Sequence, residues 1–168
     1  MHGRNTSFQQ RYRGFSMLET MMVVLVLSVL VAMTLPFYNG SRSDSQMNGT
    51  VGAVSSVLTQ TRYASIMNSQ TYTVAFTAPA NTYVITNVTT STAQSAVPLP
   101  YTSVLINNGT AATYTYTFCP NGMTYGAIIL PCPPTTIVTP PVLTLSNLTR
   151  KVQLNVSSVG NVTPTSLQ

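Results

Sequence analysis

The chain starts with a short polar segment and then becomes almost entirely apolar. From Met17 to Leu35 nearly every residue is Met, Val, Leu or Ala, and only four polar residues interrupt the run. About 20 helical residues cross roughly 30 Å of hydrocarbon. The pattern therefore predicts a helix over 15–36 that is just long enough to span a membrane. Glu19 lies near its start, and because a buried carboxylate costs several kcal/mol, it indicates a functional position that needs a cationic partner.

Two simpler interpretations of the apolar run are a secretory signal peptide and a plain single-pass anchor. A signal peptide has a shorter apolar core and a small-residue exit site, whereas Pro36-Phe37-Tyr38 follows Leu35 here. A plain anchor explains the length of the run, but it explains neither Gly14 nor Glu19.

Past Pro36 a helical period resumes in a more polar sequence, over 37–69. Pro36 removes one backbone hydrogen bond and predicts a kink in the helix. Apolar residues then recur at steps of four, three and four, at Met47, Val51, Val54 and Leu58. This spacing makes one apolar stripe. We therefore expect a long helix in two parts, of which the second part packs on a globular domain.

From residue 70 the apolar pattern changes to the alternation typical of strands. Thr71–Ala78 and Asn81–Val88 predict a hairpin around Pro79, since both are rich in β-branched and aromatic residues. Further strands are expected at 101–106, 112–118, 123–130, 135–139, 142–146 and 150–156.

Segments rich in Pro, Gly and Asn separate these strands, and 89–100 and 130–134 are predicted to be surface loops. The fold class is therefore α+β. A long N-terminal helix, partly transmembrane, would pack on a small antiparallel sheet or sandwich formed by the head, 70–168.

Composition argues against catalysis. Charged residues make up 5% of the 168 residues, against about a quarter in an ordinary soluble domain. The only histidine is His2, and the only acids are Glu19 and Asp44. Because general acid–base chemistry and metal binding both need clusters of such groups, we predict no enzymatic activity, no cofactor and no metal.

The formal net charge of +5 overstates the basic surface. Arg4, Arg11 and Arg13 all precede Phe15, and we interpret them as determinants that keep the N-terminus in the cytoplasm. Without the segment 1–14, four cations oppose two acids, which leaves a net charge of about +2. No broad basic surface for nucleic acid remains.

The N-terminal features resemble the prepilin signal of the type IV pilin superfamily. A basic leader, 1–14, ends in Gly14, Phe15 follows, and Glu19 is the fifth residue after that junction. The resemblance implies cleavage between Gly14 and Phe15 by a prepilin peptidase, with methylation of the new amine. It also implies that this amine pairs with Glu19 of a neighbouring subunit.

The same resemblance implies a location and a set of partners. The subunit would lie in the bacterial inner membrane, in contact with lipid, with its head in the periplasm. It would then join other pilin subunits in a filament through an inner-membrane assembly platform.

Scattered parts of the head are similar to the GspH/FimT-type pseudopilins. The matching segments are Gln60–Ala64 with Ile66, Tyr72–Phe76, Phe118–Gly122, and Arg150–Val156 followed by Gly160-Asn161-Val162. This similarity implies a minor pilin or pseudopilin of a type IV pilus or a type II secretion pseudopilus. Two alternatives stay open, a DNA-binding minor pilin for DNA uptake and a major filament subunit. Asn161 stands where the family often has arginine, and no basic residue follows it, which weakens the DNA-binding alternative.

Cys119 and Cys132 are the only cysteines. In a head exported to the oxidising periplasm, we expect them to form a disulfide. Two free thiols are the alternative, and two cysteines alone make a poor metal site.

Overall fold

In the computed structural model, the described residues are 16–126, 132, 138–148 and 150–167, without the side chains of 34–39. A single α-helix, α1, runs from Met17 to Asn68. The chain divides into two compact units, Met1–Gly40 and Ser41–Gln168. The helix therefore contributes its first part to one unit and its second part to the other.

The remainder of the second unit is made of short strands. In chain order the described strands are β1 (Tyr72–Ala78), β2 (Thr82–Asn87), β3 (Thr92–Ala93), β4 (Val97–Pro98), β5 (Leu105–Ile106), β6 (Ala112–Phe118), β7 (Thr124–Tyr125), β8 (Leu143–Ser146), β9 (Lys151–Val156) and β10 (Val162–Leu167). One 3₁₀ turn, Asn107–Gly109, follows β5.

The strands form two antiparallel sheets. In the first, the order is β3-β2-β1-β6-β7, and β4 also pairs with β2. In the second, the order is β10-β9-β8-β5. Val74 in β1 lies opposite Ile85 in β2 and Tyr116 in β6, so the register keeps apolar residues on one face of the sheet.

One hydrophobic core joins the second part of α1 to both sheets. The helix contributes Met47, Val54 and Leu58, each at most 1% exposed. The sheets contribute Val74, Phe76, Tyr116 and Phe118 from the first, and Ile106, Leu143, Leu145, Val152, Leu154 and Val156 from the second. Val51 packs on this core while partly exposed. The predicted apolar stripe and the α+β class are therefore confirmed.

The structure corrects several predicted strands. The hairpin and 112–118 are confirmed, but 101–106 shortens to β5, and 123–130 contributes only β7 before it leaves the described residues. Val138 and Thr139 form no strand, and 135–137 lie outside the described residues. The observed strands are shorter than predicted because a strand forms only where a neighbouring strand pairs with it. Local alternation of apolar and polar residues does not show where that pairing occurs.

One predicted loop contains strands, and one strand was not predicted. The predicted loop 89–100 contains β3 and β4, which pair with the outer edge of β2. The strand β10 was not among the predicted strands, and it contains Pro164. Proline is tolerated in edge strands, and β10 is the edge of the second sheet. The predicted loop 130–134 lies outside the described residues except for Cys132.

Candidate functional site

The N-terminal end of α1 places Glu19 in the first helical turn. The carbonyl of Ser16 accepts hydrogen bonds from the backbone N–H groups of Glu19 and Thr20, at 2.9 and 3.2 Å. The Thr20 hydroxyl donates to the carbonyl of Met17. A carboxylate in the first turn is a favoured residue type there, because the helix N-terminus carries a partial positive charge.

Glu19 is exposed. Within the part of the chain that the structure describes, no lysine or arginine forms an ion pair with it, and the apolar run from Met17 to Leu35 contains none. Gly14 and Phe15, the residues of the predicted cleavage and methylation site, lie outside the described residues.

The helix after Glu19 is apolar around its whole circumference. Val23–Leu27 are five consecutive apolar residues, and successive helical residues point about 100° apart, so together they cover every direction. The large apolar side chains between Met17 and Met33 are between 47% and 84% exposed. A helix of this kind is stable in water only when another apolar surface covers it.

Among the residues described, no helix combines the length and the apolar character that a membrane crossing requires. The predicted span, 15–36, extends past the described residues at Phe15 and past the described side chains at 34–36. The assigned helix α1 includes Pro36. The side chain of Pro36 is not among those described, and the kink predicted there stays a prediction.

In the second unit, Arg62 joins three segments that are far apart in the sequence. Its Nε donates to the carbonyl of Gly122 at 3.1 Å. A Cβ atom at Gly160 would lie 2.5 Å from Cδ of Arg62, and one at Gly122 would lie 3.2 Å from the side chain of Ile66. The late part of α1, the turn after β6 and the turn after β9 therefore meet around this arginine.

Neighbouring contacts reinforce the same junction. The Ser65 hydroxyl lies 3.2 Å from the carbonyl of Cys119, to which it can donate, and Cys119 and Cys132 form a disulfide. The backbone N–H of Thr124 donates to the carbonyl of Ser158 at 2.7 Å. The predicted disulfide is thus present in the structure, and its first cysteine begins the turn that contains Gly122.

Sequence reasoning did not anticipate this junction around Arg62, Gly122 and Gly160. The three residues lie in three separate segments, late in α1, in the turn after β6 and in the turn after β9. Spacing alone does not bring them together, since Arg62 is 60 residues from Gly122. Their convergence depends on the register of the sheets.

Three basic residues of the second unit, Arg62, Arg150 and Lys151, lie at two places along β9. Arg150 and Lys151 lie at the start of β9, while Arg62 contacts Gly160, in the turn after its end. Six strand residues extend over roughly 17 Å, so these cations lie at opposite ends of the strand. The Nε of Arg150 also donates to the hydroxyl of Ser166 at 3.3 Å. Arg62 is thus separated from Arg150 and Lys151, whereas Arg42 precedes Ser43, whose carbonyl accepts a hydrogen bond from the Asn147 amide at 3.2 Å.

Residues 9–35 match the family described as "Prokaryotic N-terminal methylation motif". No curated protein matches the chain significantly. No solved structure matches the chain significantly either. The match includes the basic end of the leader, the Gly14–Phe15 junction, Glu19 and the apolar run. The chain therefore carries a type IV pilin-like prepilin signal.

Proposed function

We propose that this protein is a minor pilin or pseudopilin of the GspH/FimT type, a structural subunit of a type IV pilus or of a type II secretion pseudopilus. A prepilin peptidase cuts the chain between Gly14 and Phe15 and methylates the new amine. The mature subunit associates with the inner membrane and is then assembled with other pilins. The main observation in support is that the methylation motif coincides with a helix whose apolar side chains are exposed on every side.

In this proposal Glu19 selects how neighbouring subunits dock. Its cationic partner is the Phe15 amine of an adjacent subunit. At a separation of about 4 Å and an effective dielectric near 20, two unit charges attract by about 4 kcal/mol. The apolar side chains of 17–33 supply contact area, while the charge pair favours one axial register. The exposed carboxylate, which has no cation beside it among the described residues, supports this role.

The head supports a structural role rather than a catalytic one. In the described part of the chain, no cluster of three or more His, Cys, Asp or Glu residues could hold a metal ion. The Thr-rich surface, with few charged residues, suits a domain displayed outside the cytoplasm.

The test compares Glu19→Ala with Asp44→Ala, which removes the only other acidic side chain of the chain. We expect both variants to be cleaved and to reach the membrane. Glu19→Ala should reduce incorporation into sheared filaments at least about tenfold, the effect of losing roughly 1.4 kcal/mol. Asp44→Ala should leave incorporation unchanged. Quantitative mass spectrometry of the filaments measures both.

The same spectra identify the first residue of the exported protein. A mature N-terminus at methylated Phe15 supports the proposal. A different first residue, or wild-type incorporation of Glu19→Ala, contradicts the proposed pairing. The stoichiometry relative to the other filament proteins separates a minor subunit from the alternative of a major one.

A further inference from the structure

A small cavity opens beside the C-terminal end of α1, between the first strands of the first sheet. Tyr72 lies on the same face of β1 as the buried residues Val74 and Phe76, but it is only half-buried. The cavity has a volume of about 200 Å³ and is lined by Tyr72, Ile85, Asn87, Thr92, Ala93 and Gln94. All six lining residues are uncharged, and the last three are exposed.

Neighbouring residues hold the polar groups of the cavity in fixed positions. The Asn87 amide donates to Oε1 of Gln70 at 2.6 Å and accepts from the backbone N–H of Thr90 at 3.2 Å. The Tyr72 hydroxyl accepts from the Asn68 amide at 3.2 Å and can donate to Oε1 of Gln70 at 3.4 Å. The hydroxyls of Thr92 and Thr90 share a hydrogen bond of 2.7 Å. Groups fixed before a ligand arrives lose little entropy when it binds.

Hydrogen-bonding capacity is left over for a ligand. Each side-chain amide has two N–H donors and a carbonyl acceptor, and each hydroxyl can both donate and accept. One N–H of Asn87 is not needed for its contact with Gln70. The Gln94 backbone N–H donates to the carbonyl of Ile85, which holds this residue at the rim while its exposed side-chain amide faces solvent.

The chemistry of the cavity matches a neutral polyhydroxylated ligand. Sugar hydroxyls donate and accept as amides and hydroxyls do, and the C–H face of a sugar ring packs on an aromatic ring. Absence of charge in the lining disfavours phosphate, carboxylate and amine ligands. The volume lies below the range of about 300–1,000 Å³ that is typical of larger ligands, so it suits one monosaccharide unit.

We propose that this cavity is a binding site for one neutral monosaccharide unit of a surface glycan, with Tyr72 as the stacking platform and Asn87, Thr92 and Gln94 as hydrogen-bonding groups. This would give the displayed head a recognition function beyond filament assembly.

The test is a titration of the full chain, in phosphocholine micelles that carry no sugar headgroup, followed by amide NMR shifts. The probes are methyl glucoside, methyl galactoside and methyl N-acetylglucosaminide. We expect one of them to produce saturable shifts confined to residues 72, 85–87 and 92–94, with a Kd of about 1–10 mM. Gln94→Ala should weaken this binding about fivefold to tenfold, the effect of one lost hydrogen bond.

Gln60→Ala is the matched control, since Gln60 is exposed and its amide bonds only Ser56 in the preceding helical turn. It should bind the probe as the wild type does. Absence of saturable shifts with all three glycosides overturns the proposal, and so does equal binding by Gln94→Ala. Saturable shifts with N-methylacetamide but with no glycoside would also overturn it, because they would indicate a peptide-like ligand.

Discussion

Gly160 and Tyr116 are two residues of the head whose surroundings favour one residue type. Gly160 adopts a φ of 77°, which favours glycine, and it lies against the side chain of Arg62. Tyr116 is fully buried, and its hydroxyl donates to the carbonyl of Pro141 at 2.9 Å. Both constraints come from segments distant in the sequence, so both can be tested by single substitutions.

Gly160→Ala should destabilise the head by about 1–3 kcal/mol, because it adds backbone strain and a clash with Arg62. Gly52→Ala is the control: no atom lies within 4 Å of a Cβ there. In that exposed helical position alanine should stabilise the protein by up to about 1 kcal/mol. Urea unfolding of both variants in micelles measures the two free energies. Equal stabilities would contradict the close approach at Gly160.

Tyr116 should make stability depend on alkaline pH. Burial raises the pKa of its phenol above the ordinary value, and Tyr114 adds to the shift. Because the folded pKa is raised, this contribution is complete below pH of about 10, where the unfolded residue titrates, and it is lost as the pH rises toward the folded pKa.

The matching substitution is Tyr116→Phe, which removes both the hydrogen bond and the titration. At neutral pH it should cost about 1 kcal/mol, and above pH 10 the difference from the wild type should shrink. Denaturant unfolding at several pH values measures this difference. A constant difference up to pH 11 or so would be inconsistent with the raised pKa.

At the scale of elements, α1 carries two kinds of apolar surface in one continuous helix. Leu58 is 1% exposed in the shared core, whereas Leu27 is 54% exposed. The two leucines have the same chemistry and the same secondary structure. They differ in whether other side chains cover them. Substituting each one therefore tests the contribution of α1 to folding separately from its contribution to assembly.

Leu58→Ala should destabilise the head by about 2–5 kcal/mol, since it leaves a cavity in the core. Leu27→Ala should change unfolding by less than about 0.5 kcal/mol, and it should instead reduce incorporation into filaments. Unfolding curves and filament mass spectrometry on the same two variants measure both effects. Similar unfolding free energies for the two variants would contradict the division of the helix into a core part and an uncovered part.

The strands show why local pattern predicts some elements well and others poorly. The central pair β1 and β6 matches the predicted alternation closely, because both strands contribute buried faces to the core. The edge strands β3, β4 and β10 are short or exposed. They form because the backbone N–H and C=O groups on the outer edges of β2 and β9 hydrogen-bond to them. The local sequence of an edge strand does not contain this information.

At the scale of the whole molecule, charge and its placement decide which partners are favoured. The proposed structural function needs one carboxylate, Glu19, and an apolar helix. DNA uptake would need a contiguous basic surface, and Arg62 lies at the opposite end of β9 from Arg150 and Lys151. We favour the structural function because it needs only the methylation motif and the apolar helix, which the chain carries.

We expect the protein to show no saturable binding of double-stranded DNA at physiological salt. Neutralising even three phosphates would make the binding constant fall with a salt slope of about −2.7 on logarithmic axes. Fluorescence anisotropy over a salt series measures this slope. Saturable binding with a slope of that size, lost in Arg150→Ala and Lys151→Ala, would favour the DNA-uptake alternative instead.

The sequence alone determined the prepilin-like signal, the apolar helix, its amphipathic continuation and the central strands. Each of these depends on the order or period of neighbouring residues, which are local properties. The two cysteines also predicted their own disulfide. Only the tertiary structure decided which other distant segments meet: Arg62 with the turns at Gly122 and Gly160, and the edge strands with β2 and β9. Such meetings depend on sheet register and core packing, and these are settled by the chain as a whole.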